Sequence, residues 1–345
     1  MATPAHAAAS RPSIAHGEPI IAINGLVKRY GQLTAVNEID LVVNSGEIFG
    51  ILGPNGAGKT TTLEMIEGLR PPDAGTIRVG GFDAVGASER VRRIIGVQLQ
   101  TTALFDYLNA SELIELFAGL YDVDGSAARI DELLGMVGLQ DKRKARVDEL
   151  SGGQRQRLSI TLALVNRPLI AFLDEPTTGL DPGARRELWK TIQTIRDAGT
   201  TVVLTTHYME EAEVLCDRVA VMDRGNVIAL DTPAALIRQL GTEATVRAHI
   251  GAGTIAADDL LGLAAVKHSA IHNGQLELQT SDVQATLVDL LALATRNAVT
   301  LTDLRSTQAS LEDVFLSLTG RTYENEESRP SPVDSRQQRK SRRGS

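Results

Sequence analysis

The 345-residue sequence has one cysteine, Cys216, so no disulfide can close within the chain, and no Cys/His cluster carries zinc spacing. A reducing compartment is expected. Nowhere do about eighteen apolar residues run uninterrupted by charge, which argues against any bilayer-crossing helix. Any membrane role is therefore expected to be peripheral. A basic excess is also missing: 35 Lys and Arg against 43 Asp and Glu give a net charge of −8, the wrong sign for a protein that tracks phosphate backbones. No nucleic-acid partner is expected. Residues 1–18, rich in Ala, Pro, Ser and His, have neither the charged start nor the apolar stretch of a secretory signal and read as a disordered lead-in. The sequence shows no internal repeat.

Short apolar bursts at Ile20–Ile23, Ile48–Leu52, Leu169–Leu173, Val202–Leu204 and Val219–Met222 alternate with longer amphipathic stretches. This pattern predicts an α/β fold, a mostly parallel sheet wrapped by helices. Helical periodicity replaces it between about 100 and 165, as in Ala110–Leu120 and Ala127–Val137, and reads as a helical subdomain inserted into the core. After about 241 come strand-like runs at Thr245–Ile250, Gln275–Gln279 and Thr300–Leu304, with one clear helix at Val283–Ala294. The expected organisation is a main domain over 19–240, a small α+β domain over 241–320, and a disordered basic tail over 321–345. That tail carries Arg336, Arg339, Lys340, Arg342 and Arg343, charges suited to weak attraction to anionic headgroups.

Gly53, Pro54, Asn55, Gly56, Ala57, Gly58, Lys59, Thr60 and Thr61 follow an apolar strand and precede an amphipathic stretch beginning at Thr62, the strand–loop–helix context of a P-loop. Glycines let backbone N–H groups point at phosphate oxygens, and the helix N-terminus adds partial positive charge. Lys59 supplies a full charge to the β/γ-phosphates, and the Thr60 hydroxyl suits Mg²⁺. The apolar run from Leu169 ends in Asp174 and Glu175, two carboxylates where ligands sit in an α/β sheet. Asp174 is placed to hold Mg²⁺ through its water shell, and Glu175 to accept a proton from the attacking water or to orient it. Ser151, Gly152, Gly153 and Gln154 open a helical stretch at Arg155–Val165 and form a second backbone anion site. A second such site in one chain makes sense if it serves a partner.

With this last motif the sequence resembles the ABC ATPases, over about 20–240. The resemblance implies further site residues. Tyr30 corresponds to the aromatic that stacks on adenine, and Gln100 to the glutamine that touches Mg²⁺ and relays nucleotide state, with Gln98 two residues earlier as its rival. Gly179, Leu180 and Asp181 correspond to the loop crossing the dimer interface, and His207, after Thr205 and Thr206, to the switch histidine on the γ-phosphate. The resemblance further implies a P-loop core with an antiparallel β edge, ATP and Mg²⁺ as ligands, and a head-to-tail dimer sandwiching two ATPs. A homodimer is the default.

The ending Ser310–Gly320 is similar to the closing helix of daunorubicin-resistance-type exporter ATPases of the ABC-2 class, whose permeases are separate multi-span chains. Leu311, Val314, Phe315 and Leu318 are expected on one face of that helix, packed on its own domain or against a partner. An exporter ATPase on the cytoplasmic face of the membrane is thus implied, its cargo a drug-like or lipid-like amphiphile. A soluble ABC ATPase of the ribosome or DNA, or a cassette energising a non-transport envelope complex, are the alternatives.

Overall fold

A computed structural model of the chain describes residues 12, 14–98, 104–241, 244–272 and 274–320. They divide into two compact units, the first through Leu230 and the second from Asp231. The expected 240/241 boundary lies further along the chain, because the helix at Pro233–Gln239 packs on the last helix of the second unit.

The first unit comprises, in chain order, β1 (Pro19–Tyr30), β2 (Leu33–Asn44), β3 (Ile48–Leu52), α1 (Lys59–Ile66), β4 (Ala74–Val79), β5 (Phe82–Asp83), α2 (Ser88–Ile94), β6 (Ile95–Gln98), α3 (Ala110–Tyr121), α4 (Ala127–Met136), α5 (Gly152–Ala163), β7 (Ile170–Asp174), α6 (Pro182–Asp197), β8 (Thr201–Thr206), α7 (Met209–Leu215), β9 (Arg218–Asp223) and β10 (Asn226–Asp231). Two sheets form. The antiparallel one has order β2-β1-β4-β5, and the other has order β10-β9-β3-β8-β7-β6. In the latter β3 runs parallel to β8 and β9, and β7 parallel to β6 and β8. Every residue of β3, β7 and β8 is buried, as central parallel strands covered on both faces require. The Ile20–Ile23 run belongs to the antiparallel sheet, and its isoleucines join one core with Phe49, Ile51, Phe172 and Val203.

The parallel pairing places the site. Leu52 pairs with Thr206 and Asp174 with Thr205, so β3, β8 and β7 end side by side and their following loops meet at the carboxyl edge of the sheet. The helical stretches begin with side-chain caps: Asn109 and Glu112 form a capping box on α3, and Ser126 caps α4.

The second unit holds α8 (Pro233–Gln239), β11 (Ala244–Ala252), α9 (Ala257–Leu261), β12 (Val266–His272), β13 (Gln275–Thr280), α10 (Val283–Arg296), β14 (Thr300–Gln308) and α11 (Leu311–Thr319). Its sheet has order β12-β13-β11-β14, and its core gathers Val246, Leu276, Leu278 and Leu290. On α11, Leu311, Val314 and Phe315 are buried and Leu318 is half exposed, so the helix packs on its own unit. No helix of the described residues is long and apolar enough to cross a membrane.

Candidate functional site

The loop after β3 is shaped by glycines. Gly58 caps α1 with a φ of +102°, and a Cβ there would stand 2.4 Å from the Ala35 carbonyl oxygen. A Cβ on Gly53 would meet the Met222 carbonyl at 2.3 Å. Any side chain at either position would push the loop off the sheet edge. Helix α1 begins at Lys59, earlier than the expected Thr62, since a left-handed glycine cap leaves no side-chain signal in the sequence.

Lys59 is 4% exposed, and its ammonium donates to the carbonyls of Gly53 at 2.7 Å and Pro54 at 3.3 Å. It also pairs with Glu175 Oε1 at 3.4 Å. Thr60 donates from its hydroxyl to Asp174 Oδ1 at 3.3 Å, and the Thr205 hydroxyl donates a short bond to the same oxygen. Thr205 Oγ1 in turn accepts the Glu175 N–H at 2.9 Å, so one hydroxyl registers both carboxylate residues against β8.

Glu175 sits at a φ of +46°, a strained region for a residue with a side chain, and its carboxylate is buried. Oε2 accepts from the Thr178 hydroxyl at 3.2 Å and lies 3.2 Å from His207 Nδ1. Burial would raise its pKa, but the hydrogen bond to His207 and the charges of Lys59 and His207 together win and hold it at about 2. Asp174 moves the other way: burial, aided by the neighbouring Glu175 charge, raises it against its bonds to Thr205 and Thr60. Two adjacent acids are thus set apart, one firmly ionised and one that gains from a cation.

Ser151 and Gln154 form a capping box on α5: Ser151 Oγ accepts the Gln154 N–H at 3.3 Å, and Gln154 Oε1 accepts the Ser151 N–H at 2.9 Å. Ser151 and Gly152 are exposed, and a Cβ on Gly153 would touch Ala184 of α6 at 3.0 Å. Asp181 caps α6 through the N–H groups of Gly183 and Ala184, both at 2.9 Å. Tyr30 is exposed at the end of β1, with Arg70 at 5.5 Å and Lys28 at 5.9 Å from its ring centre.

The structure therefore brings together Lys59, Thr60, Asp174, Glu175 and His207, while Tyr30 ends β1, the Ser151 loop opens α5 and Asp181 caps α6. Gln100 lies outside the described residues; its rival Gln98 is buried at the end of β6. Thr205 and Thr178 were not singled out from the sequence. The available signal for Thr205 was a pair of threonines, Thr205 and Thr206, ending a strand with an apolar centre just before His207.

One buried acid stands near this group. Glu67, 2% exposed after α1, has its pKa raised to about 8 by burial, then by the charges of Asp174 and Glu64. Between about pH 4.5 and 8 the folded chain keeps a proton that the unfolded chain has released, so stability falls as pH rises through that window. Glu67→Gln removes this slope. In nucleotide-free, metal-free buffer the variant is expected to lose less stability than wild type from pH 5 to 8, by on the order of 2 kcal/mol in urea titrations. Parallel stability curves would contradict the assignment.

A phosphate loop between a parallel strand and a helix, facing paired carboxylates at the end of β7 one strand beyond its neighbour β8, defines a nucleotide-binding P-loop ATPase. Residues 36–178 match the family model described as ABC transporter. The linearmycin resistance ATP-binding protein LnrL of Bacillus subtilis is 37% identical over 86% of this chain and 96% of its own length. The daunorubicin/doxorubicin resistance ATP-binding protein DrrA of Streptomyces peucetius is 39% identical over 87% and 92%. The Nod factor export ATP-binding protein I of Ralstonia nicotianae is 37% identical over 88% and 94%. Among solved structures, an ATP-binding subunit of an ABC transporter aligns with 64% of this chain and 93% of its own at a TM-score of 0.57 and 29% identity. The dimeric post-hydrolysis cassette MJ0796, bound to ADP and Pi, aligns with 61% and 98% at a TM-score of 0.55 and 28% identity. The chain belongs to the ABC transporter family, as an ATP-binding, ATP-hydrolysing subunit of the ABC-2 exporter type.

Proposed function

We propose that this chain powers the outward movement of a drug-like or lipid-like amphiphile through a separate multi-span permease, as a homodimeric motor on the cytoplasmic face of the membrane. The observation that carries this reading is the split of the nucleotide machinery. Lys59, Thr60, Asp174, Glu175 and His207 converge at one sheet edge, while the second anion loop stands at the start of α5, with Ser151 and Gly152 exposed. An exposed, pre-capped anion loop is suited to a phosphate held by another copy. The resistance and export relatives support the direction of transport and the amphiphilic cargo.

In this reading ATP lies with its adenine on Tyr30 and its phosphates in the loop from Gly53 through Thr61. The N–H groups around Gly56 and Gly58, with Lys59, hold the β/γ-phosphates. The site residues also fit Mg²⁺. Thr60 Oγ1 and Asp174 Oδ1 are hard oxygen donors 3.3 Å apart, and Asp174 carries a buried charge that a divalent cation offsets. Thr60, Asp174 and Gln100 would hold the ion, which neutralises phosphate charge when bound. Glu175, held near 2 by His207 and Lys59, is an ionised acceptor that orients the attacking water. Its basicity rises once Lys59 is shared with phosphate, because one of the charges lowering it is then engaged elsewhere. His207 contacts the γ-phosphate, and Asp181 faces the dimer partner.

The permease contact falls to the helical stretch. Tyr107 and Leu120 are 84% and 72% exposed, Phe105 is also exposed, and Leu116 shares the Leu120 face of α3 at i,i+4 spacing. The basic tail adds attraction to anionic headgroups beside that permease.

Light scattering tests the dimer. Glu175→Gln with saturating ATP and Mg²⁺ is expected to shift from one chain to two and to return to one when ADP replaces ATP. A variant that binds ATP yet keeps one mass throughout would refute the shared site.

A further inference from the structure

Tyr208 stands directly after His207 and has no part in the chemistry described so far. The two rings meet, with centres 4.1 Å apart and planes tilted by 45°. Successive side chains of an extended chain point apart, so this meeting needs a bend. The bend is a turn closed by Thr206, whose hydroxyl oxygen accepts the Tyr208 N–H at 2.9 Å, with His207 at its centre. The N-cap position of α7 favours Ser, Thr, Asp or Asn, yet Tyr208 stands there without a side-chain cap bond, so helix capping does not account for it.

The Tyr208 ring also carries a cation. The Arg185 guanidinium sits 4.1 Å from the ring centre, well inside the roughly 6 Å within which an aromatic face attracts a positive charge. Arg185 Nε is buried and has no hydrogen-bond acceptor among the described residues. Burying an N–H in that way is costly, and the attraction of the Tyr208 face offsets the cost. The stem of Arg185 starts from fixed backbone: its N–H donates to the Asp181 carbonyl at 2.9 Å, in the first turn of α6 that the Asp181 carboxylate caps. Arg185, Tyr208 and His207 thus form one stack, and at its far end His207 Nδ1 lies 3.2 Å from Glu175 Oε2.

We propose that Tyr208 is a positioning residue: clamped by Arg185, its ring fixes how the His207 imidazole is turned. The proposal rests on the reading of His207 as the γ-phosphate contact. Nδ1 stands beside Glu175, so any turn of the imidazole moves it away from that carboxylate and misaims the opposite edge of the ring. The Tyr208 ring packed against it opposes that turn, and Arg185 keeps Tyr208 from swinging aside. Misplacing a catalytic group by about 1 Å costs up to about 100-fold in rate, so a positioning role is large enough to measure.

The test is a double-mutant cycle of Tyr208→Leu and His207→Ala, reading ATP turnover and the affinity for a fluorescent ATP analogue. Tyr208→Leu is expected to slow turnover about 10- to 50-fold with affinity changed less than about 3-fold, a loss in kcat and not in binding. In the His207→Ala background it is expected to add less than about 2-fold. Tyr208→Phe keeps the ring and its face, and recovers most of the lost rate. Should Tyr208→Leu fail to fold, Arg185→Met removes the cation, keeps an unbranched stem and enters the same cycle with an expected loss of about 5-fold. A smaller loss in the variant tested, an equal loss in Tyr208→Phe and Tyr208→Leu, or losses that multiply with His207→Ala overturn the proposal. A slow His207→Ala beside a fast Tyr208→Leu sinks the Tyr208 role alone, whereas wild-type turnover in His207→Ala removes the reading of the site and this proposal with it.

Discussion

Glu175→Gln is expected to lower ATP turnover by about 100- to 1,000-fold while ATP affinity stays near the wild-type value. The amide keeps the shape and can still accept from Thr178, but it cannot carry the charge that His207 and Lys59 stabilise at 3.2 and 3.4 Å. A loss of that size equals about 3 to 4 kcal/mol of barrier, the usual worth of one pre-placed polar group at a reacting centre. On the proposed reading binding survives, because the loop N–H groups and Lys59 that would hold the phosphates are unaltered. A coupled-enzyme assay together with nucleotide titration reads both quantities. Turnover at the wild-type rate would remove Glu175 from the chemistry.

Lys59→Ala is expected to cost binding and turnover together, with ATP affinity down by about 10- to 100-fold. Lys59 is buried against the Gly53 and Pro54 carbonyls, so its ammonium already sits inside the loop proposed to receive the phosphates. Its removal also takes away one of the charges that hold Glu175 at about 2, so that carboxyl shifts upward. The two variants therefore separate by pattern: Glu175→Gln loses rate alone, and Lys59→Ala loses both. Wild-type affinity in Lys59→Ala would contradict its place at the phosphates.

Much of the parallel core was legible in the sequence for a physical reason. Strands buried on both faces read as unbroken apolar runs, and β3, β7 and β8 fall within one residue of the runs at Ile48, Leu169 and Val202, apart from the threonines that extend β8. Strand β2 was silent because exposed Asn37 and Glu38, the latter at a φ of +47°, break its alternation. Strand β12 begins Val-Lys-His and is only partly buried, so it offers neither period nor run. The limit between the units was placed late because Pro233 and its capping Thr232 mark only a helix start, and nothing local says which core α8 joins. Within the site, the motif residues were legible because phosphate chemistry confines them to short stretches. The bond from Thr205 to Asp174 was not, since the two stand on different strands, β8 and β7, and only the fold brings them together.

Co-purification from native membranes bears most directly on the role as an exporter motor. The tagged chain, expressed at its natural level and solubilised in mild detergent, is pulled down and its partners are identified by mass spectrometry. A multi-span membrane protein in near-equal amount is the predicted result, and it would supply the permease on which cargo is tested. A chain that stays soluble and brings down ribosomal or DNA-repair proteins would leave the ATPase intact and contradict the transport role.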